Sequence, residues 1–166
     1  MKKQGINIVW IKRDLRSQDH EPLLKAERAG IPYLIVYVFE PSKIKHPDTS
    51  PRHLQFVYHS ITALNKTLAP FNRSVEVFYG EAIDVFEFLE NDVDINHIFS
   101  YRESGTQSTW QRDKQIKVFC KQHQIDWQES QRDGVLRGIK NRDDWNKLWH
   151  IKMHTPVIQN CYSVSQ

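Results

Sequence analysis

The stretch Trp10-Ile11-Lys12-Arg13-Asp14-Leu15-Arg16-Ser17-Gln18-Asp19-His20-Glu21-Pro22-Leu23 decides how this chain is read, because it follows the mostly apolar run Ile6 to Val9 and leads into a helical pattern. A strand leaving a parallel sheet at its carboxyl end meets the next helix there, and open α/β sheets hold their ligands in the crevice at that edge. An ordinary turn draws on Gly, Asn and Ser. This loop instead places Lys12, Arg13, Asp14, Arg16 and Asp19 within residues 12–19. Charge at that density, at that place, is the pattern of a site.

Outward from the loop, strands and helices alternate. Ile6–Ile11 is nearly continuous in apolar residues, as expected of a strand buried on both faces, and Tyr33–Phe39 repeats the pattern. Between them Leu23, Leu24, Ala26 and Ala29 suit a short helix closed by Gly30 in the left-handed conformation, with Pro32 soon after. The loops at 12–20 and 40–50 then open on the same sheet edge as neighbours. Ser50-Pro51 reads as a helix start, with Phe56, Ile61, Leu64 and Leu68 as its apolar stripe up to Pro70. Further strands are expected over Val75–Phe78, Ile95–Tyr101 and Ile125–Glu129. Helices are expected over Ala82–Leu89 and Thr106–Gln124, the latter carrying Trp110, Ile116, Val118 and Phe119. The tail from Asp133 differs, with Trp145, Leu148 and Trp149 at helical spacing.

At 166 residues the chain suits one domain with its own core. Cys120 and Cys161 are too few for a disulfide framework and are expected to be reduced. No apolar run approaches the ~20 residues of a membrane span, and Met1-Lys2-Lys3-Gln4 lacks the hydrophobic region of a signal peptide, so cytoplasm is the expected compartment. A formal charge of +3 and a pI near 8.8 give a mild attraction to polyanions, short of a basic stripe for nucleic acid. There is no glycine-rich dinucleotide or triphosphate motif, no HExxH among the eight histidines, and no nucleophile elbow. No metal site and no catalytic residue are assigned.

The opening stretch closely resembles the amino-terminal motif of the DNA photolyase and cryptochrome family, which reads Trp, a variable residue, Arg or Lys, Arg, Asp-Leu-Arg, two variable residues, Asp-Asn, then Pro or Ala shortly before Leu. The main departure is His20 in place of Asn. Ser50-Pro51-Arg52, Arg112-Asp113 and Gln131-Arg132-Asp133-Gly134-Val135-Leu136 echo other family landmarks in order, so the resemblance spans roughly residues 5 to 150. It implies an α/β fold, flavodoxin-like or Rossmann-like, with a doubly wound five-stranded parallel sheet and helices on both faces. Residues 1–132 correspond to the amino-terminal α/β domain of that family. Residues 133–166 resemble a linker leading toward an FAD-binding helical domain that lies outside this sequence.

The resemblance also implies a function. In that family this domain holds an antenna pigment that passes light energy to reduced FAD in the helical domain. In photolyases the flavin then splits a pyrimidine dimer in damaged DNA, and in cryptochromes it serves signalling. Deoxyribodipyrimidine photo-lyase activity is therefore the expectation for a whole protein, with the FAD-binding domain and damaged DNA as partners and no membrane. These residues alone are expected to be inactive. The alternative is a stand-alone nucleotide- or chromophore-binding module without catalysis.

Candidate ligand residues sit at three strand ends. Arg13 and Asp14 follow the first strand. Val38, Phe39 and Glu40 end the second, offering apolar walls and a carboxylate that could accept from ring N–H groups of a flat heteroaromatic. Arg52, an unfavourable cation in a first helical turn, is expected to pair with an anion, Glu40 among the choices. Tyr101 and Glu103 end the fourth strand with a stacking face and a carboxylate. A deazaflavin, flavin or related pigment is expected rather than folate, because Ser108-Thr109 stands where folate-binding relatives have Asn-Glu. Arg112 and Asp113 read as a helix-surface pair facing the other domain.

Overall fold

The computed structural model of the chain describes residues 3, 5–135 and 141–165. Leu136, which ends the Gln131–Leu136 landmark, and residues 137–140 of the tail lie outside the described residues. The chain runs β1 (Gly5–Ile11), α1 (Glu21–Ala29), β2 (Tyr33–Phe39), α2 (Pro41–Ile44), α3 (Pro51–Leu68), β3 (Val75–Tyr79), α4 (Ala82–Asp92), β4 (Asp94–Tyr101), α5 (Gln107–Gln122), β5 (Asp126–Ser130) and α6 (Trp145–Met153). The five strands form one parallel sheet in the order β3-β2-β1-β4-β5. Of the two doubly wound orders left open by the sequence, this is the Rossmann one, with the switch point between β1 and β4.

Because side chains alternate across a strand, β1 feeds two cores at once. Ile8 and Trp10 join Val36, Val38 and Ile98 under α4 and α5, whereas Val9 and Ile11 join Ile35 and Phe99 under α1 and α3. All four β1 residues are at most 1% exposed, so each contributes about 1.5–3 kcal/mol of burial. On α3, Ile61, Leu64 and Leu68 form the buried stripe, but Phe56 is exposed. The reason is angular: Val57, four residues before Ile61, continues the stripe, and Phe56 falls one residue off it. The same geometry turns Trp110 and Val118 of α5 outward while Ile116 and Phe119 face the sheet.

Helix α1 starts on His20, whose Nδ1 accepts the Leu23 N–H at 3.2 Å, and stops at Gly30, with φ 67°. The four-residue α2 has no periodicity to announce it. It forms because Pro41 fixes the first φ and the Glu40 carbonyl accepts from both Lys43 and Ile44 N–H at 2.9 Å.

Beyond β5 the chain packs Trp149 of α6 onto Gly134, where an added Cβ would lie 2.2 Å from the indole Cδ1. Residues 157–165 then return as a strap along the loop before α1. Asp19 N–H donates to the Ile158 carbonyl at 2.9 Å, and the buried Asn160 accepts from His20 N–H and donates to the His20 carbonyl, each at 2.9 Å. Gln18 completes the pairing with Asn160 backbone groups at 2.9 and 3.0 Å. Tyr162 packs against Phe71 and bonds the Ser17 carbonyl.

Candidate functional site

A cavity of about 580 Å³ opens at the carboxyl edge of the sheet. Its walls are Tyr37, Val38 and Phe39 from β2, Leu54, Phe56 and Val57 from α3, and Trp10 and Ile11 from β1. Arg13, Glu40, Lys43, Glu103 and Arg112 give it polar character. Parallel strands end together, so three loops and the first turns of α3 and α5 converge here.

The polar centre is Arg112. Its Nη1 donates to Glu40 Oε1 at 2.8 Å, and its Nη2 donates to Glu103 Oε2 at 2.6 Å and to Asp113 Oδ1 at 2.7 Å. Arg13 Nε closes the far side on Glu103 Oε1 at 2.9 Å. Burial works against the guanidinium, yet Glu40, Asp113 and Glu103 hold its pKa above the ordinary arginine value. The two carboxylates respond oppositely. Burial pushes Glu40 above the ordinary carboxylate range despite Arg112. Burial also acts on Glu103, but Arg112, Lys12 and Arg13 outweigh it and hold that carboxyl low. Glu40 Oε1 is committed to Arg112, and Glu40 lines the cavity. Burial beside Glu40 and Glu103 pushes the Tyr37 phenol up to about 12, so it stays protonated.

Below the cavity, Asp14 organises the loop. Its Oδ1 accepts Lys12 and Arg13 N–H at 3.0 and 3.1 Å, and its Oδ2 lies 2.7 Å from His20 Nε2. Since Nδ1 of that ring accepts from Leu23, the ring hydrogen sits on Nε2 and is donated to Asp14. Burial opposes the Asp14 charge, but the His20 bond and the Lys12 N–H overcome it and hold the carboxyl low. His20 therefore supplies a helix cap and a loop brace at the position where the family has Asn.

Of the residues singled out from sequence, Arg13, Val38, Phe39, Glu40 and Glu103 line the cavity. Asp14 is buried beneath it. Tyr101 is buried to one side, its hydroxyl accepting from Glu21 N–H at 2.8 Å and donating to the Asp19 carbonyl at 3.3 Å. Arg52 is exposed outside the cavity, and Glu40 pairs with Arg112 instead. Arg112 was assigned to a helix surface, and its central role was missed. The signal was there: it lies four residues before the buried Ile116 and three after the buried Thr109, on the inward stripe of α5. Lys12 and Lys43 were also passed over. Among the described residues no group of His, Cys, Asp and Glu is arranged to hold a metal ion, and no helix is long and apolar enough to cross a membrane.

Fold and cleft define a Rossmann-type α/β domain with a ligand-sized crevice at its switch-point edge. The family model for DNA photolyase matches residues 7–161, and the chain belongs to that family, corresponding to its amino-terminal α/β domain. It is 27% identical over 101 residues to a cryptochrome DASH of Synechocystis sp. (strain ATCC 27184 / PCC 6803 / Kazusa), covering 58% of this chain and 21% of that protein. It is 26% identical over 136 residues to cryptochrome-1 of Drosophila melanogaster, covering 78% and 25%. With a deoxyribodipyrimidine photo-lyase of Salmonella typhimurium it shares 29% over 100 residues, covering 56% and 21%. The matches thus span about a quarter or less of these relatives. In fold it superposes on a Synechocystis sp. PCC6803 cryptochrome with TM-score 0.76, at 20% identity over 99% of this chain and 37% of that one. An archaeal photolyase from Sulfolobus tokodaii, described with two FAD molecules and a novel light-harvesting cofactor, gives TM-score 0.75 at 22% identity, covering 95% and 37%.

Proposed function

We propose that this domain binds a flat heteroaromatic antenna pigment of the deazaflavin or flavin class in the cavity over β1 and β2, and that the whole protein is a light-dependent DNA repair enzyme or blue-light receptor. The observation that carries the reading is Glu40: a carboxylate held by Arg112 through Oε1 that lines a cavity with mostly apolar walls. Such a group accepts from the ring N–H of a flat pigment while Tyr37, Val38, Phe39 and Val57 exclude water from its faces. Arg13, half-exposed at the rim, suits a polar substituent or the neighbouring domain. The pigment supplies light absorption and transfer of excitation energy, and the chain's own residues supply binding, orientation and exclusion of water.

In the whole protein the receiver of that energy is FAD in a helical domain, and the substrate is a pyrimidine dimer taken out of the DNA stack. Asp14 and Tyr101 enter this reading as supports of the loop that carries Arg13, and Arg52 as a contact for that domain. Residues 133–166 serve as the linker segment toward that domain, and cytoplasm is the compartment that fits. The test is titration of the chain with riboflavin, a deazaflavin and methenyl-folate, followed by fluorescence anisotropy. A charge-assisted hydrogen bond of about 1.5–3 kcal/mol predicts roughly ten- to hundred-fold weaker binding in Glu40→Ala. Binding of none of the three probes, or equal binding by Glu40→Ala, overturns the proposal.

A further inference from the structure

Trp10 lies at the cavity wall, 1% exposed, with two cationic side chains near its ring. Lys12 Nζ is 4.7 Å from the ring centroid and Arg112 Cζ is 4.8 Å from it. Arg112 is accounted for by its three carboxylates. Lys12 is not. Its ammonium is buried without a hydrogen-bond partner, 3.9 Å from both Asp113 and Glu129 and 5.7 Å from the Trp127 ring centroid. Burying an ammonium without hydrogen bonds works against folding, and a methionine would fill the same space without that penalty. Besides its two long ion pairs, the ammonium lies over the Trp10 ring, nearer to it than to the Trp127 ring.

An indole is an easily oxidised side chain, and beside an excited aromatic pigment it acts as a quencher. One electron passes from the ring to the pigment, giving an indole radical cation and a pigment radical anion. The electron then returns and the excitation is lost as heat. Cationic side chains within 5 Å of the ring make the radical cation costly, Lys12 with a pKa that burial lowers and Arg112 with its charge shared among three carboxylates. We propose that Lys12, together with Arg112, guards Trp10 against oxidation by a photoexcited flavin-class pigment in the cavity, so that the excitation survives for transfer. This rests on the pigment-binding reading above. Lys12 is a positioning residue in this scheme, acting on the pigment only through Trp10.

The experiment uses the full chain with riboflavin as the probe and time-resolved flavin fluorescence as the readout. Lys12→Met is expected to shorten the bound-state lifetime by about two-fold or more, given the loss of a charge this close to the ring. Lys12→Arg keeps the cation and is expected to keep the lifetime. Trp10→Phe added to Lys12→Met removes the donor and is expected to restore it, which a merely structural disturbance would not allow. Riboflavin bound equally well with an unchanged lifetime in Lys12→Met overturns the guarding role and leaves the pigment site standing. A lifetime that stays short in the double variant places the quencher elsewhere, at Tyr37 for example, and also overturns it. Failure of both riboflavin and a deazaflavin to bind the unmodified chain overturns the pigment reading and this proposal with it, whereas binding of the deazaflavin alone moves the same lifetime measurement to that probe.

Discussion

Replacing Asn160 by alanine tests whether the strap holds the loop beneath the cavity. The side chain is 7% exposed, and its two bonds, both 2.9 Å, go to the N–H and the carbonyl of His20. Without it the carbonyl keeps one partner, because it also accepts Leu24 N–H at 3.1 Å. Among the described residues the His20 N–H has no second acceptor. A buried donor left unsatisfied costs about 1–3 kcal/mol, and the lost bond to the carbonyl adds about 0.5–1.5 kcal/mol. The expected loss is therefore about 1.5–4.5 kcal/mol, or roughly 3–18 °C in Tm for a domain of this size. Urea denaturation followed by circular dichroism gives the first quantity and a thermal scan the second. Asn160→Asp, which keeps the oxygen acceptor near the start of α1, should recover part of the loss. A midpoint change in Asn160→Ala equivalent to less than about 0.5 kcal/mol, the range of ordinary surface substitutions, refutes the argument that the strap braces His20.

Arg112→Met should destabilise the chain by about 3–5 kcal/mol, because Glu40, Glu103 and Asp113 lose their shared cation in a buried setting; guanidinium denaturation showing less than about 1 kcal/mol contradicts the network. The pH dependence divides by carboxylate. Asp14 and Glu103 have lowered folded pKa values, so their stabilisation is present above the ordinary carboxylate range and is lost as pH falls through the folded values. Asp14→Asn should accordingly flatten the acid limb of a stability-versus-pH curve. Glu40 is raised, so the sign reverses: stability is lost as pH climbs from the ordinary range through its folded value, and Glu40→Gln should remove that fall. Gly134→Ala should displace Trp149 and change tryptophan fluorescence while leaving the urea midpoint of the sheet within about 0.5 kcal/mol of the parent; unchanged emission contradicts the packing of α6 on that loop.

The central strands β1 and β2 were readable because burial on both faces leaves a run that no charge interrupts. Tyr33–Phe39 coincides with β2, and β5 is displaced by one residue, Asp126–Ser130 against the expected Ile125–Glu129. Edge position explains the second: β5 pairs on one side only, so its pattern is weaker. The strand order came only with the structure, since alternation of strands and helices fits either doubly wound arrangement. At the site, residues at strand ends were legible because they sit in the chain beside apolar runs. Arg112 was not, because a charged residue in a helix is ordinarily assigned to solvent, and here Glu40 and Glu103, brought by other segments, reverse that rule. The role of Asn160 had no local trace at all, as nothing near it in sequence reflects a partner at His20.

The strap has a consequence for the order of events during synthesis. His20 and Asn160 are separated by 140 positions. At about 5–20 residues per second, roughly 7–30 s pass between translation of the first and of the second. During that interval β1 through β5 emerge from the ribosome and can pair, while the loop bearing Arg13 lacks its brace. The brace between Asn160 and His20 is thus completed at the end of this interval, after all five strands have been translated.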